Sequence, residues 1–133
     1  MPSDPSLSRE ELEQGSTFAP RFDADGLIPA IVVDASDSAV LVLAYMNRES
    51  LRLTLQTGTV HFWSRSRGKI WMKGESSGHV LNVEEMRVDC DQDALLIRAR
   101  PDGPTCHTGE KSCFYRRVDN EGPESSLLVK VKT

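Results

Sequence analysis

The sequence predicts an α+β domain that is mostly β: a compact mixed sheet of barrel-like form with one main helix. Three observations predict it. Runs rich in β-branched and aromatic residues recur along the chain, each bounded by Gly, Pro, Asp or Ser. One longer stretch, residues 48–57, lies between an N-terminal and a C-terminal helix cap. The 133 residues are 38% hydrophobic and 27% charged, which fits one ordinary soluble domain with a real core. Residues 1–25 read as an N-terminal tail and residues 26–133 as a single domain.

In the tail, Ser8 and Glu11 have capping-box spacing, which predicts a short helix over residues 9–14. Residues 28–34 and 39–46 read as strands joined by an Asp/Ser-rich hairpin turn. Asn47 caps the main helix, Leu51 and Leu55 define its apolar face, and Gly58 ends it. Residues 59–64 return to strand, with Val60, Phe62 and Ser64 alternating with His61, Trp63 and Arg65. A polar turn over residues 65–69 leads to a returning strand, residues 70–73, and then to a Gly/Ser turn. Residues 79–89 form a long strand, residues 94–99 another, ended by Pro101, Gly103 and Pro104. Residues 113–118 and 127–131 are the last two strands.

The net charge of -4 argues against general nucleic-acid binding. The N-terminus carries acidic residues where a signal peptide needs basic ones. The longest apolar run, residues 39–46, is far short of the roughly 20 residues a bilayer span takes. The expectation is a cytoplasmic protein without a membrane partner. In that reducing compartment its three cysteines are free, catalytic or metal-bound rather than paired.

All three cysteines fall between residues 89 and 113, at Cys90, Cys106 and Cys113. No C-x-x-C knuckle of a closed structural zinc site is present. Three thiolates would leave zinc an open position, where bound water can be ionised near neutral pH. His107 follows the second cysteine and is a candidate general base, fourth ligand or orienting group. The plainer alternative is that the cysteines fill core space as small apolar residues. The H-x-E and P-C-x-x-C signature of nucleobase deaminases is absent.

Asp89, Asp91 and Asp93 interleave with Cys90. On an extended strand they share one face, and Cys90 points the other way. Such a face suits a hard cation such as Mg²⁺; its plainer alternative is a solvated acidic edge. Ala94 and Arg100 stand where a calcium loop needs Gly and Glu, which excludes an EF-hand.

Arg65, Arg67, Lys69 and Lys73 lie together in an otherwise acidic chain, with Trp63 and Trp71 among them. Basic residues on a turn suit phosphate and tryptophan can stack on a base, although a solvated hairpin over two core tryptophans has the same pattern. His61 and His79 flank the hairpin and are candidate substrate contacts.

Together these residues resemble the phosphoribosyl-AMP cyclohydrolase family of histidine biosynthesis. The likeness runs through Gly26-Leu27-Ile28-Pro29-Ala30-Ile31-Val32, Val42-Leu43-Ala44-Tyr45-Met46-Asn47 and His61-Phe62-Trp63-Ser64-Arg65-Ser66-Arg67-Gly68-Lys69. It continues through Trp71-Met72-Lys73-Gly74-Glu75-Ser76-Ser77-Gly78-His79, Asp89-Cys90-Asp91-Gln92-Asp93, Gly103-Pro104-Thr105-Cys106-His107-Thr108-Gly109 and Ser112-Cys113-Phe114. The resemblance implies hydrolysis of the N1–C6 bond of 1-(5-phosphoribosyl)-AMP by zinc-activated water. It implies one Zn²⁺ per subunit on Cys90, Cys106 and Cys113, and one Mg²⁺ per subunit on Asp89, Asp91 and Asp93. It also implies an interlocked homodimer, with zinc ligands drawn from both subunits. Many relatives carry a C-terminal pyrophosphohydrolase. This chain ends at Thr133, so a stand-alone cyclohydrolase domain is expected. The alternation of hard and soft ligands fits the dimer: if residues 89–93 are extended, Cys106 and Cys113 can arrive from a partner at that strand.

Two readings of other classes compete. A zinc-stabilised module could hold single-stranded nucleic acid on the tryptophan hairpin, which demands steeply salt-dependent binding. A thiol redox sensor would use the three cysteines as reversible disulfides, which stoichiometric zinc would oppose.

Overall fold

A computed structural model of the chain describes residues 7–119 and 127–131. Residues 1–6 of the expected tail lie outside them. The elements are α1 (Arg9–Gln14), β1 (Ile28–Asp34), β2 (Val40–Met46), α2 (Arg48–Thr57), β3 (His61–Ser64), β4 (Lys69–Met72), β5 (Leu81–Val88), β6 (Leu95–Pro101), β7 (Arg116–Val118) and β8 (Leu128–Lys130). No helix among the described residues is long and apolar enough to cross a membrane.

Four strands form one mixed sheet in the order β2-β1-β6-β5, with β1 and β6 parallel and the outer pairs antiparallel. β3–β4 and β7–β8 are separate antiparallel ribbons. The barrel-like form is overturned: the sheet is open, and the described residues contain two helices, α1 and α2. Closure requires strands hydrogen-bonded around a full ring. Here the chain makes one bridge to β5, Thr59 with Asn82, and then leaves, because β3 pairs with β4 instead. Ribbon β3–β4 and α2 pack beside β2 rather than extending the sheet.

The core is Ile28, Ala30 and Val32 of β1, Leu95, Ile97 and Ala99 of β6, Leu41, Val42 and Met46 of β2, and Leu51, Val60, Phe62 and Leu81 around them. Fully burying a side chain such as Leu51 or Phe62 contributes about 1.5–3 kcal/mol. α2 forms as expected: Asn47 and Ser50 make a reciprocal capping box, and Gly58 closes the helix at φ 76°. Its buried face differs from the expected one. Leu51 and Thr54 are buried, whereas Leu55 is 49% exposed. Thr54 can be buried because its hydroxyl donates to Ser50 O and accepts from His61 N–H at 2.9 Å.

A bulge in β2 matters for the site. Val42 opposes Val32 and Val40 opposes Val33, so Leu41 is the extra residue. Both Leu41 and Val42 turn inward as a result. The Leu41 carbonyl then accepts from Cys113 N–H at 2.8 Å, and Val40 O accepts from the Ser112 hydroxyl at 2.6 Å.

Candidate active site

The acidic residues are not on a strand. Residues 89–94 form the turn between β5 and β6, which corrects the extended reading and its opposite-face argument for Cys90. Asp89 Oδ1 accepts from Asp93 N–H at 2.9 Å and from Ala94 N–H at 3.1 Å. Gln92 N–H donates to Asp89 O at 3.1 Å, with Gln92 in the left-handed region at φ 60°. A non-glycine residue there costs roughly 1–2 kcal/mol. The turn brings one oxygen each of Asp89, Asp91 and Asp93 within 4.8 Å of one another. Three carboxylates so close cannot all ionise freely. Hydrogen bonds shared first with Asp91 and then with Asp89 push the Asp93 carboxyl up to about 6, and the same bond from Asp93 lowers Asp91. A divalent cation relieves that repulsion, so the donor set fits a hard oxygen-bound metal.

Gln92 was missed in the sequence as anything but a spacer. It is 3% exposed. Its amide donates to Leu12 O at 3.0 Å and Thr17 O at 3.1 Å, and accepts from Ala19 N–H at 2.8 Å. Its carbonyl accepts from Arg21 N–H at 2.7 Å. The only signal was a long amide among four short acidic or thiol neighbours.

The thiol loop is built differently. Cys106 is buried and Cys113 exposed. Cys106 N–H donates to Glu110 O, Gly109 N–H to Cys106 O, and Thr105 N–H to Lys111 O, closing residues 105–111 on themselves. Lys111 pairs with Asp37 and, at 3.7 Å, with Asp34, tying the loop to the β1–β2 turn. Burial works to raise the Cys106 thiol, but hydrogen bonds from Thr108 and Cys113 outweigh it and lower the thiol. Burial, then the neighbouring Cys106, pushes Cys113 up to about 11. The two sulfurs therefore lie side by side, the Cys106 thiol lowered and the Cys113 thiol raised. Lys73 favours the ionised form of both. Beside them Thr105 Oγ1 is buried without a partner among the described residues, an orphaned atom of the kind a ligand satisfies. Cys90 is exposed on the acidic turn and does not join these two within one chain: among the described residues the only potential ligand cluster is the aspartate one. His107 is exposed on the same loop.

The basic hairpin borders a cleft of about 670 Å³ lined by Leu43, Tyr45, Trp63, Arg65, Arg67 and Trp71. The Arg65 guanidinium stacks on the Tyr45 ring at 4.1 Å. Trp71 packs on buried Phe62, with ring centroids 5.3 Å apart. Lys73 sits 5.9 Å over Trp71, a cleft residue, and its charge also acts on both thiols. Lys69 is exposed at the start of β4 and does not line the cleft. His61 Nδ1–H donates to Thr59 O at 2.8 Å, which orients the ring and leaves Nε2 outside that bond. His79 lies over Gly103: a Cβ there would meet the imidazole at 2.5 Å, so this position before Cys106 has no room for a side chain.

Comparison with known proteins adds the following. The sequence profile described as Phosphoribosyl-AMP cyclohydrolase matches residues 42–115, a span that encloses the cleft residues, the three carboxylates of the acidic turn and the three cysteines. A protein of Brucella anthropi named phosphoribosyl-AMP cyclohydrolase is 56% identical over 96% of this chain and 92% of its own length. One of Rhizorhabdus wittichii with the same name is 57% identical over 92% of this chain and 98% of its own.

Proposed function

The chain belongs to the phosphoribosyl-AMP cyclohydrolase family, and on that premise we propose that it hydrolyses the N1–C6 bond of the adenine ring of 1-(5-phosphoribosyl)-AMP. Ring opening would give the carboxamide used in histidine biosynthesis, in the cytoplasm. The observation that carries the reading is the family match across residues 42–115, which holds all the chemistry-bearing residues in one span.

Cys106, Cys113 and Cys90 are the residues that would hold zinc. The first two are adjacent, while Cys90 sits apart on the acidic turn. We therefore assign the third thiolate to Cys90 of the partner subunit in a homodimer. Zinc held there would supply Lewis acidity that ionises water near neutral pH. Asp89, Asp91 and Asp93 would hold Mg²⁺.

The remaining steps belong to the chain itself. N1-ribosylation makes the amidine readily protonated, so C6 is electrophilic. Water adds to C6, a base takes its proton, and an acid returns one to N1 as the C6–N1 bond breaks. His107, exposed on the thiol loop, is the assigned proton carrier. His61, with Nδ1–H held by Thr59 O, and His79, packed on Gly103, are secondary substrate contacts. Trp63 and Trp71 offer ring faces to the adenine, Arg65 and Arg67 bind one phosphate, Lys73 brings positive charge beside Trp71 and the thiols, and Lys69 adds positive charge at the hairpin tip.

The test is direct. Incubation with 1-(5-phosphoribosyl)-AMP, Zn²⁺ and Mg²⁺ should change the ultraviolet absorbance as the purine opens. Absence of turnover with both metals supplied overturns the reading.

A further inference from the structure

Gln92 has no place in the chemistry above, yet it is the most heavily bonded side chain at the site. Its side-chain amide is fully satisfied, and every partner lies in the N-terminal segment: Leu12 O, Thr17 O and Ala19 N–H. Its backbone does two further things. The carbonyl takes Arg21 N–H, and the N–H closes the acidic turn on Asp89 O. The segment that clasps it is itself anchored. Ala19 is 2% exposed, Phe18 and Phe22 pack on the core, and Arg48 lies 4.8 Å over the Phe22 ring. Arg21 also brings positive charge to Asp91.

The consequence is geometric. With Gln92 left-handed, Asp93 and Ala94 present both N–H groups to Asp89 Oδ1, which fixes that carboxylate. Glutamine disfavours this backbone conformation, so something outside the turn must hold it. The three bonds to residues 12, 17 and 19 do so. We propose that Gln92 is a positioning residue for the divalent-cation site, and that residues 12–21 are a built-in brace whose docking and the site's cation affinity are coupled. The inference rests on the assignment of a cation to Asp89, Asp91 and Asp93. Coupling is reciprocal: if the docked brace tightens the cation, the cation must tighten the brace by the same factor.

Two measurements on the zinc-loaded full chain test this. The first is Mg²⁺ titration by calorimetry on the unaltered protein, Gln92→Gly and Asp91→Asn. Glycine accepts φ 60° without strain, so Gln92→Gly removes the clasp while leaving the turn possible. Loss of a residue supporting a metal ligand typically costs about 10- to 100-fold in affinity. Gln92→Gly should bind Mg²⁺ at least about tenfold more weakly with unchanged zinc content. The second uses the unaltered protein alone and so does not depend on any variant folding. Amide exchange at Ala19 and Arg21, whose N–H groups bond to Gln92, should slow when Mg²⁺ saturates the site. Unaltered Mg²⁺ affinity in folded Gln92→Gly, or exchange at Ala19 and Arg21 indifferent to Mg²⁺, overturns the brace. A chain that takes up no Mg²⁺, or one whose uptake survives Asp91→Asn, overturns the cation assignment itself and the brace with it.

Discussion

The acidic turn and the thiol loop carry ligands of opposite character, and they are assembled by opposite means. Residues 89–94 gather three carboxylates within 4.8 Å inside one chain, through the turn's own hydrogen bonds and the clasp on Gln92. Residues 105–113 gather only two thiols, and the third cysteine is carried on the acidic turn. A local site can be completed by a six-residue turn. A site with ligands on two separate loops needs either a change of shape or a second chain. The exposed apolar residues favour the second chain. Leu43, Leu55, Phe114, Val118, Leu127 and Leu128 are between 44% and 65% exposed, and every residue of β7 and β8 is exposed among the described residues.

If the two sites are independently built, they should fail separately. Cys106→Ser should lose zinc and activity together, by more than the roughly 10- to 100-fold that removing an outer-shell partner costs, while Mg²⁺ uptake stays unchanged. Asp91→Asn should do the reverse, sparing zinc. Metal content after dialysis, measured beside turnover, checks both. Loss of both metals from either variant would break the distinction between the regions.

The two regions should also differ in their response to acid. The Asp93 carboxyl is raised to about 6 by its bonds with Asp91 and Asp89. Below that pH the site holds a proton that a cation must displace, so Mg²⁺ affinity should fall by up to about tenfold per pH unit. In the metal-free chain the sign is opposite. The raised carboxyl favours the folded state below the ordinary carboxylate range, and that contribution is lost as pH rises through about 6. Calorimetry in buffers of different ionisation enthalpy should detect proton release on Mg²⁺ binding below pH 6 and little above pH 7.

A smaller effect tests the frame under both regions. Thr54→Val leaves the His61 N–H without its acceptor inside α2 and β3. Such a loss costs about 1–3 kcal/mol, read as a lower urea midpoint. Both metal contents should be retained in the folded fraction.

Much of this was legible in the sequence, for local reasons. Asn47 and Gly58 set both ends of α2, and Ser8 set the start of α1, because caps act within four residues. The aspartates were legible as a ligand set but not as a turn. Their i, i+2, i+4 spacing equally suits a strand, and what bends the chain is Gln92, held by residues more than 70 positions away. The same limit applies to sheet closure: whether β3 joins β5 or turns back on β4 depends on competing pairings, not on the pattern of either strand. Leu55 was misplaced because apolar spacing fitted the inner face, whereas Thr54's two hydrogen bonds decided the helix rotation.

The central claim is that the thiol site is complete only across two chains. Subunit mixing tests it most directly. Cys90→Ser and Cys106→Ser, each inactive alone, are unfolded together, refolded and assayed. Random pairing makes half the dimers mixed, and each mixed dimer has one site with all three cysteines intact, so activity should return to about a quarter of the unaltered protein's. If all three ligands came from one chain, every site in every mixed dimer would lack a cysteine. Activity that stays at the level of the single variants would contradict the account.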